Sequence, residues 1–264
     1  MVKAPTFRRS AIIAGMRTSM NNMLLLLCVL TAVLGLAIPA SAMPYTGYPG
    51  FDDGFNRVMQ QSAFYTDYMR SHMEGSEKMA LKGLVAKNSD KMRIDMDSRE
   101  MAGDKDMGGM DFMLYTGIIT KPTSLPIMLI HIPEKYMIGE KDDTEPLEGI
   151  AEPGRPGIPE KEDPPVVTKE RIGEEKFDNH PCVIFKITVT YKNGDKLTGR
   201  VWEATDYGDV KPYLKIVVDA PEGTVTIELH NLKLGKPSDN WFEIPEGYEK
   251  IDSYMELFPA EMMG

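Results

Sequence analysis

The seven residues Lys91-Met92-Arg93-Ile94-Asp95-Met96-Asp97 alternate charged and apolar without a break. A period of two fits a strand and not a helix, and it puts Met92, Ile94 and Met96 on one face. Lys91, Arg93, Asp95 and Asp97 are then expected to face water. A strand with one apolar and one wet face belongs to an antiparallel sheet, because parallel strands are covered on both sides. The apolar side is rich in methionine, whose flexible thioether suits adaptable surfaces.

Further strand-like runs cover residues 63–73, 78–87, 110–120, 126–132 and 135–138. In the second of these Met79, Leu81 and Val85 share one parity. Later in the chain Val183, Phe185, Ile187, Val189 and Tyr191 alternate with smaller or polar residues. Asn193-Gly194 then supplies a hairpin turn, and residues 196–204 return antiparallel. Pro221-Glu222-Gly223 joins a second hairpin, in whose return strand Val225, Ile227 and Leu229 share a face. Asp52 or Asp53 can start a short helix reaching about Gln61. The count is about eight to ten strands with one or two packed helices, a mainly β (α+β) chain. A sheet that long must coil or split, so the expected architecture is a strongly curved antiparallel half-barrel.

Residues 1–42 read as a signal peptide. Lys3, Arg8, Arg9 and Arg17 precede the apolar run Met23–Ile38, and Ala40-Ser41-Ala42 supplies a small-residue cleavage pattern. The apolar run is slightly short of the roughly 20 residues of a membrane span, an uncleaved N-terminal anchor being the alternative. Export to the periplasm of a Gram-negative-type bacterium is therefore expected. Cleavage after Ala42 removes four of the 30 basic residues and none of the 40 acidic ones, leaving 26 against 40, or −14. Such a charge works against binding nucleic acid. Of the two cysteines, Cys28 lies in the signal, so Cys182 has no internal partner and the fold must rest on core burial.

Within the mature chain, residues 43–62 are expected to be an N-terminal segment with a short helix. Residues 63–250 form the β domain, and 251–264 a tail or short helix that Pro259 disturbs. Residues 139–165 interrupt the domain with six prolines, nine acidic and three basic residues. That composition cannot offset its ordering entropy and predicts an exposed, disordered insertion.

Catalytic signals are sparse. His72, His131, His180 and His230 stand at no metal-ligand spacing. No nucleophile elbow, Walker loop or dinucleotide fingerprint occurs. His180 and Cys182 can be drawn as a nucleophile pair, but a structural role is the simpler reading. The chain is expected to be no enzyme and to need no cofactor. Methionine is the one unusual enrichment, with 12 of 20 between Met59 and Met137. Met101, Met107, Met110 and Met113 resemble a thioether site for cuprous copper, the alternative being that Met110 and Met113 simply pack inward.

Several motifs in the second half resemble a known domain. They are Gly173-Glu174-Glu175, His180-Pro181-Cys182 and Val201-Trp202-Glu203-Ala204. The close adds Leu232-Lys233-Leu234-Gly235-Lys236-Pro237 and Trp241-Phe242-Glu243-Ile244-Pro245-Glu246-Gly247-Tyr248. Together with Lys91, Arg93 and Asp95, and in this order, they resemble a bacterial envelope domain of unknown function. That domain sits in the superfamily of the periplasmic lipoprotein carrier and its outer-membrane receptor (LolA/LolB-like). The resemblance covers about residues 60–250. It implies a half-barrel wrapped round helices, whose apolar interior holds acyl chains in carriers of the type, and it brings no catalytic residue. The 139–165 segment departs from the pattern, and no lipoprotein-handling loop is recognisable.

The functional expectation is a carrier or sensor of a lipid-like ligand, an acyl chain being the expected partner. The candidate lining is Met79, Leu81, Met92, Ile94, Met96, Phe185, Ile187 and Ile227. The alternative is an envelope interaction protein with a filled core, bound to another envelope protein.

Overall fold

The computed structural model describes residues 43–74, 77–102, 111–139, 164–221 and 223–258. The expected signal peptide, residues 103–110, residues 140–163 of the acidic segment and residues 259–264 lie outside them.

Two antiparallel meanders make one sheet. The first comprises β1 (Ala63–Glu74), β2 (Glu77–Asn88), β3 (Lys91–Asp97), β4 (Tyr115–Lys121), β5 (Ser124–Ile130) and β6 (Lys135–Ile138). The second comprises β7 (Val166–Phe177), β8 (His180–Thr190), β9 (Lys196–Ala204), β10 (Tyr213–Ala220) and β11 (Gly223–Leu234). β1 pairs with β11, which fuses the meanders, and a two-residue β12 (Glu249–Lys250) adds in parallel to β6. The strand order is β12-β6-β5-β4-β3-β2-β1-β11-β10-β9-β8-β7, with β12 and β7 at the edges among the described residues. The sheet is curved, antiparallel and not closed into a barrel.

Register fixes which side chains share a face, because directly paired residues point the same way. Ile94 opposes Val85, Met96 opposes Gly83 and Met92 opposes Lys87. Gly83 opposes Tyr68, Leu81 opposes Arg70 and Met79 opposes His72. Across the junction Tyr68 opposes Leu229 and Arg70 opposes Ile227. Ile227 opposes Ile216, Ile216 opposes Val201, and Val201 opposes Phe185. All eight candidate lining residues therefore lie on one sheet face. That face carries α1 (Asp53–Met59), a seven-residue helix.

The opposite face corrects the sequence reading of β3. Arg93 is only 8% exposed and Asp95 only 1%, where both were expected to face water. Alternation identifies two faces but says nothing of what covers each. Here residues 236–248 lie across the second face. Phe242 is fully buried against Ala86, Ile119, Ile127 and Leu129, with Trp241, Ile244 and Tyr248 beside it. The segment then turns round the β6 edge, where Ile251 packs on Phe112 and Ile130. Of residues 251–264, expected to be a tail or short helix, the described part holds a 3-10 turn, Tyr254–Leu257, closed by a Ser253/Glu256 capping box.

Candidate functional site

The α1 face holds two adjoining apolar clusters. Phe55, Val58 and Met43 pack with Phe64, Tyr68, Val85, Ile94 and Leu229. Phe51 packs with Ile187, Val201, Ile216 and Ile227. Tyr45 meets Phe55 edge-on at 5.1 Å. Phe51, Phe55 and Val58 have no exposed surface, so the segment preceding β1 fills this face. Among the candidate lining residues Ile94, Ile187 and Ile227 are fully buried. Leu81, Met92 and Met96 are partly buried beside the first cluster, and Phe185 beside the second. Met79 is partly buried outside both.

Local chemistry explains how α1 is seated. The Asp52 carboxylate accepts from Thr46 N at 2.7 Å, Thr46 Oγ1 at 2.8 Å and Gly47 N at 2.9 Å. It therefore closes the preceding loop and makes no side-chain cap to the helix. Burial pushes the Asp52 carboxyl up despite these donors. Arg57 donates to Val210 O and Lys211 O, and pairs with Glu203 at 3.4 Å. Gly54 is required for close approach, since a Cβ there would run into the Tyr213 ring and backbone.

The opposite face carries a buried charged cluster. Arg93 Nε lies 3.0 Å from both Asp95 oxygens, and its Nη2 donates to Oδ2 at 2.6 Å. Arg93 also donates to Trp241 O at 3.3 Å and sits 5.6 Å from the Trp241 ring centre. His131 stacks on Tyr115 at 4.0 Å, and its Nδ1 is 2.5 Å from the Tyr248 hydroxyl. Its buried Nε2 is 3.5 Å from Asp95 Oδ2, an ion-pair distance too loose to count as a hydrogen bond. Burial alone would raise the Asp95 carboxyl, but His131 and Arg93 outweigh it and hold the group below the usual carboxylate range. Gly117 makes room, because a Cβ there would strike Asp95 Oδ1. The cluster thus clasps the C-terminal segment to the sheet through Trp241 and Tyr248.

Two cavities open on this second face. One, of about 410 Å³, is lined by residues including Asp67, Lys82, Asp95, Asp97, Tyr115 and His230. The other, of about 690 Å³, is lined by residues including Tyr65, Asp67, Lys233 and Trp241. Asp67 borders both. None of the eight candidate lining residues borders either one.

The remaining sequence candidates fall elsewhere. The His180 ring bonds Asp206 Oδ2 at 2.8 Å and the Tyr207 hydroxyl at 3.0 Å, while Cys182 Sγ donates to the His180 carbonyl at 3.5 Å. Imidazole and thiol are therefore not paired. Burial pushes the Cys182 thiol up to about 11, away from a reactive thiolate. Met113 packs inward beside Phe112 and Ile130. Met107 and Met110 lie outside the described residues. Among the described residues no group of three His, Cys, Asp or Glu side chains is placed to hold a metal ion. No helix there is long and apolar enough to cross a membrane.

No protein-family model matches the chain, and no curated protein matches it significantly. Solved structures are similar at low sequence identity. A chain of the MucA/MucB complex of Pseudomonas aeruginosa matches with a TM-score of 0.38 and 12% identity. That match covers 74% of this chain but only 60% of the other, less than two thirds of its length. The lipoprotein LppX of Mycobacterium tuberculosis matches with a TM-score of 0.37 and 10% identity, over 71% of this chain and 94% of that one. A LolA superfamily protein of Nitrosomonas europaea matches with a TM-score of 0.33 and 9% identity, over 73% and 95%. The superfamily that the sequence motifs resemble is thus represented among similar structures. At this level of likeness they identify neither a ligand nor a partner.

Proposed function

We propose that the protein is an exported, non-catalytic binding protein of the cell envelope that takes an acyl-type apolar ligand on the α1 face of its open sheet. One observation carries the reading: an apolar face running from β3 to β8 lies beneath a seven-residue helix and its flanking loop. A helix so short has no stability of its own, since isolated helices need about 12–15 residues to persist. Packing alone seats it, and a ligand chain can replace that packing. Leu81, Met92 and Met96 at the margin supply a deformable wall. Met79, Ile94, Phe185, Ile187 and Ile227 complete the lining. In the ligand-free protein α1 and Phe51 act as the plug.

Native mass spectrometry after gentle purification tests this directly. Acyl-chain adducts that added oleate displaces are the expected result. A protein that always flies bare and ignores fluorescent fatty acids is not a carrier. The complete burial of Phe51, Phe55 and Val58 favours a second reading, an envelope interaction protein with a permanently filled core. In that case crosslinking in cells captures a protein partner, and deleting residues 141–163 abolishes the capture.

A further inference from the structure

The cavity of about 690 Å³ lies on the face opposite α1, beside the junction of the two meanders. The junction is irregular there. Tyr65 pairs with Lys233 and Asp67 with His230, so Thr66 alone stands against Asn231 and Leu232. This is a β-bulge, a device that re-aims side chains and recurs beside binding sites. Asn231 takes the left-handed conformation at φ 53°, uncommon for a residue other than glycine. Its Nδ2 donates to Asp67 Oδ2 at 2.9 Å, while the Tyr65 hydroxyl donates to Asp67 Oδ1 at 2.5 Å. Asp67 is held by both oxygens, yet each oxygen keeps acceptor capacity. Trp241 is partly exposed and stands 4.9 Å from Tyr65, which makes an aromatic wall. Lys233 and Ser238 add donors around the rim.

Two aromatic rings, tilted 41° to each other, beside a fixed carboxylate and several donors suit one ligand chemistry better than others. An alkyl chain would bury Asp67 without a new partner, which is costly. A phosphate would meet the Asp67 charge, and of the two lysines on the rim, Lys233 and Lys236, the latter is already paired with Asp239 at 3.1 Å. A pyranose ring offers an apolar C–H face to Trp241 and hydroxyls to Asp67, Lys233 and Ser238. We infer that this cavity is an oligosaccharide-binding site, with one sugar ring on Trp241. The neighbouring cavity of about 410 Å³, which shares Asp67 and adds Asp97, Tyr115 and His230, gives room for a further ring. The site is separate from the acyl face and does not depend on it.

The chain has two tryptophans, Trp202 and Trp241, and Trp202 is buried. In a Trp202→Phe variant the fluorescence of Trp241 therefore reports the site alone. Titration with chitotetraose and with maltotetraose should give a saturable change for at least one sugar. Asp67→Ala or Trp241→Ala in the otherwise native protein should weaken that sugar's binding tenfold or more by calorimetry. Saturation-transfer NMR on the native protein reads the same contact should Trp202→Phe fail to fold. Absence of any saturable response to both sugars into the millimolar range, in fluorescence and NMR alike, would overturn the inference. So would sugar binding that survives Trp241→Ala unchanged, or a response to inorganic phosphate alone.

Discussion

Asp95 is the residue whose setting departs most from the pattern of its strand. Its carboxylate is almost wholly buried, yet it is ionised and held by Arg93 and His131. Removing one member of such a pair strands the other charge, which costs about 3–5 kcal/mol. Asp95→Ala should lower the urea unfolding free energy by that amount. Asp95→Ala combined with Arg93→Met should recover most of it, because no buried charge then remains. The pH dependence follows the same contact. A carboxyl held below its ordinary value of 3.8 contributes stability that is fully present above that value. The contribution is lost as pH falls through the lower folded value. Acid unfolding followed by circular dichroism should show this loss, and Asp95→Asn should flatten that limb. Arg93, His131, Tyr65, Tyr68, Tyr115 and Tyr248 are among the titratable or charged groups round this carboxylate.

Elements were legible wherever one face met a core. β3, the β8–β9 hairpin with its Asn193-Gly194 turn, and the β10–β11 hairpin all follow from alternation and turn chemistry. β7 was not legible. Lys169, Glu170, Arg171, Glu174, Glu175 and Lys176 put charge on both of its faces, as suits an edge strand exposed over nearly its whole length. The C-terminal segment was also missed as a cover, because an irregular strap has no period to read. Its anchor is Phe242, fully buried on Ala86, Ile119, Ile127 and Leu129. Phe242→Ala should cost about 3–5 kcal/mol, as truncation of a large core side chain does. Hydrogen exchange should show β5 and β6 losing protection before β8 and β9, while equal loss across the sheet would mean that the strap is not a local cover.

At the scale of the molecule, one open sheet presents two different faces, each covered by a segment from one end of the described chain. Residues 43–61 cover the apolar face and residues 236–248 cover the charged one. The curved antiparallel sheet was readable from strand count and spacing. Its apolar face was readable too, since register brings all eight candidate lining residues to one side. The short helix was readable too, from Asp52 or Asp53 to about Gln61 against Asp53–Met59 observed. Its seating over this face was not, because seven residues carry no sign of which surface they cover. The carrier reading requires that plug to yield. The most direct test is a fluorescent fatty-acid titration of the native protein beside Phe55→Ala. Weakening the plug raises the binding-competent fraction, so the variant should bind on the order of tenfold more tightly. Saturable binding in both, tighter in Phe55→Ala, is the predicted result. No binding in either folded protein would contradict it and leave the face a closed core.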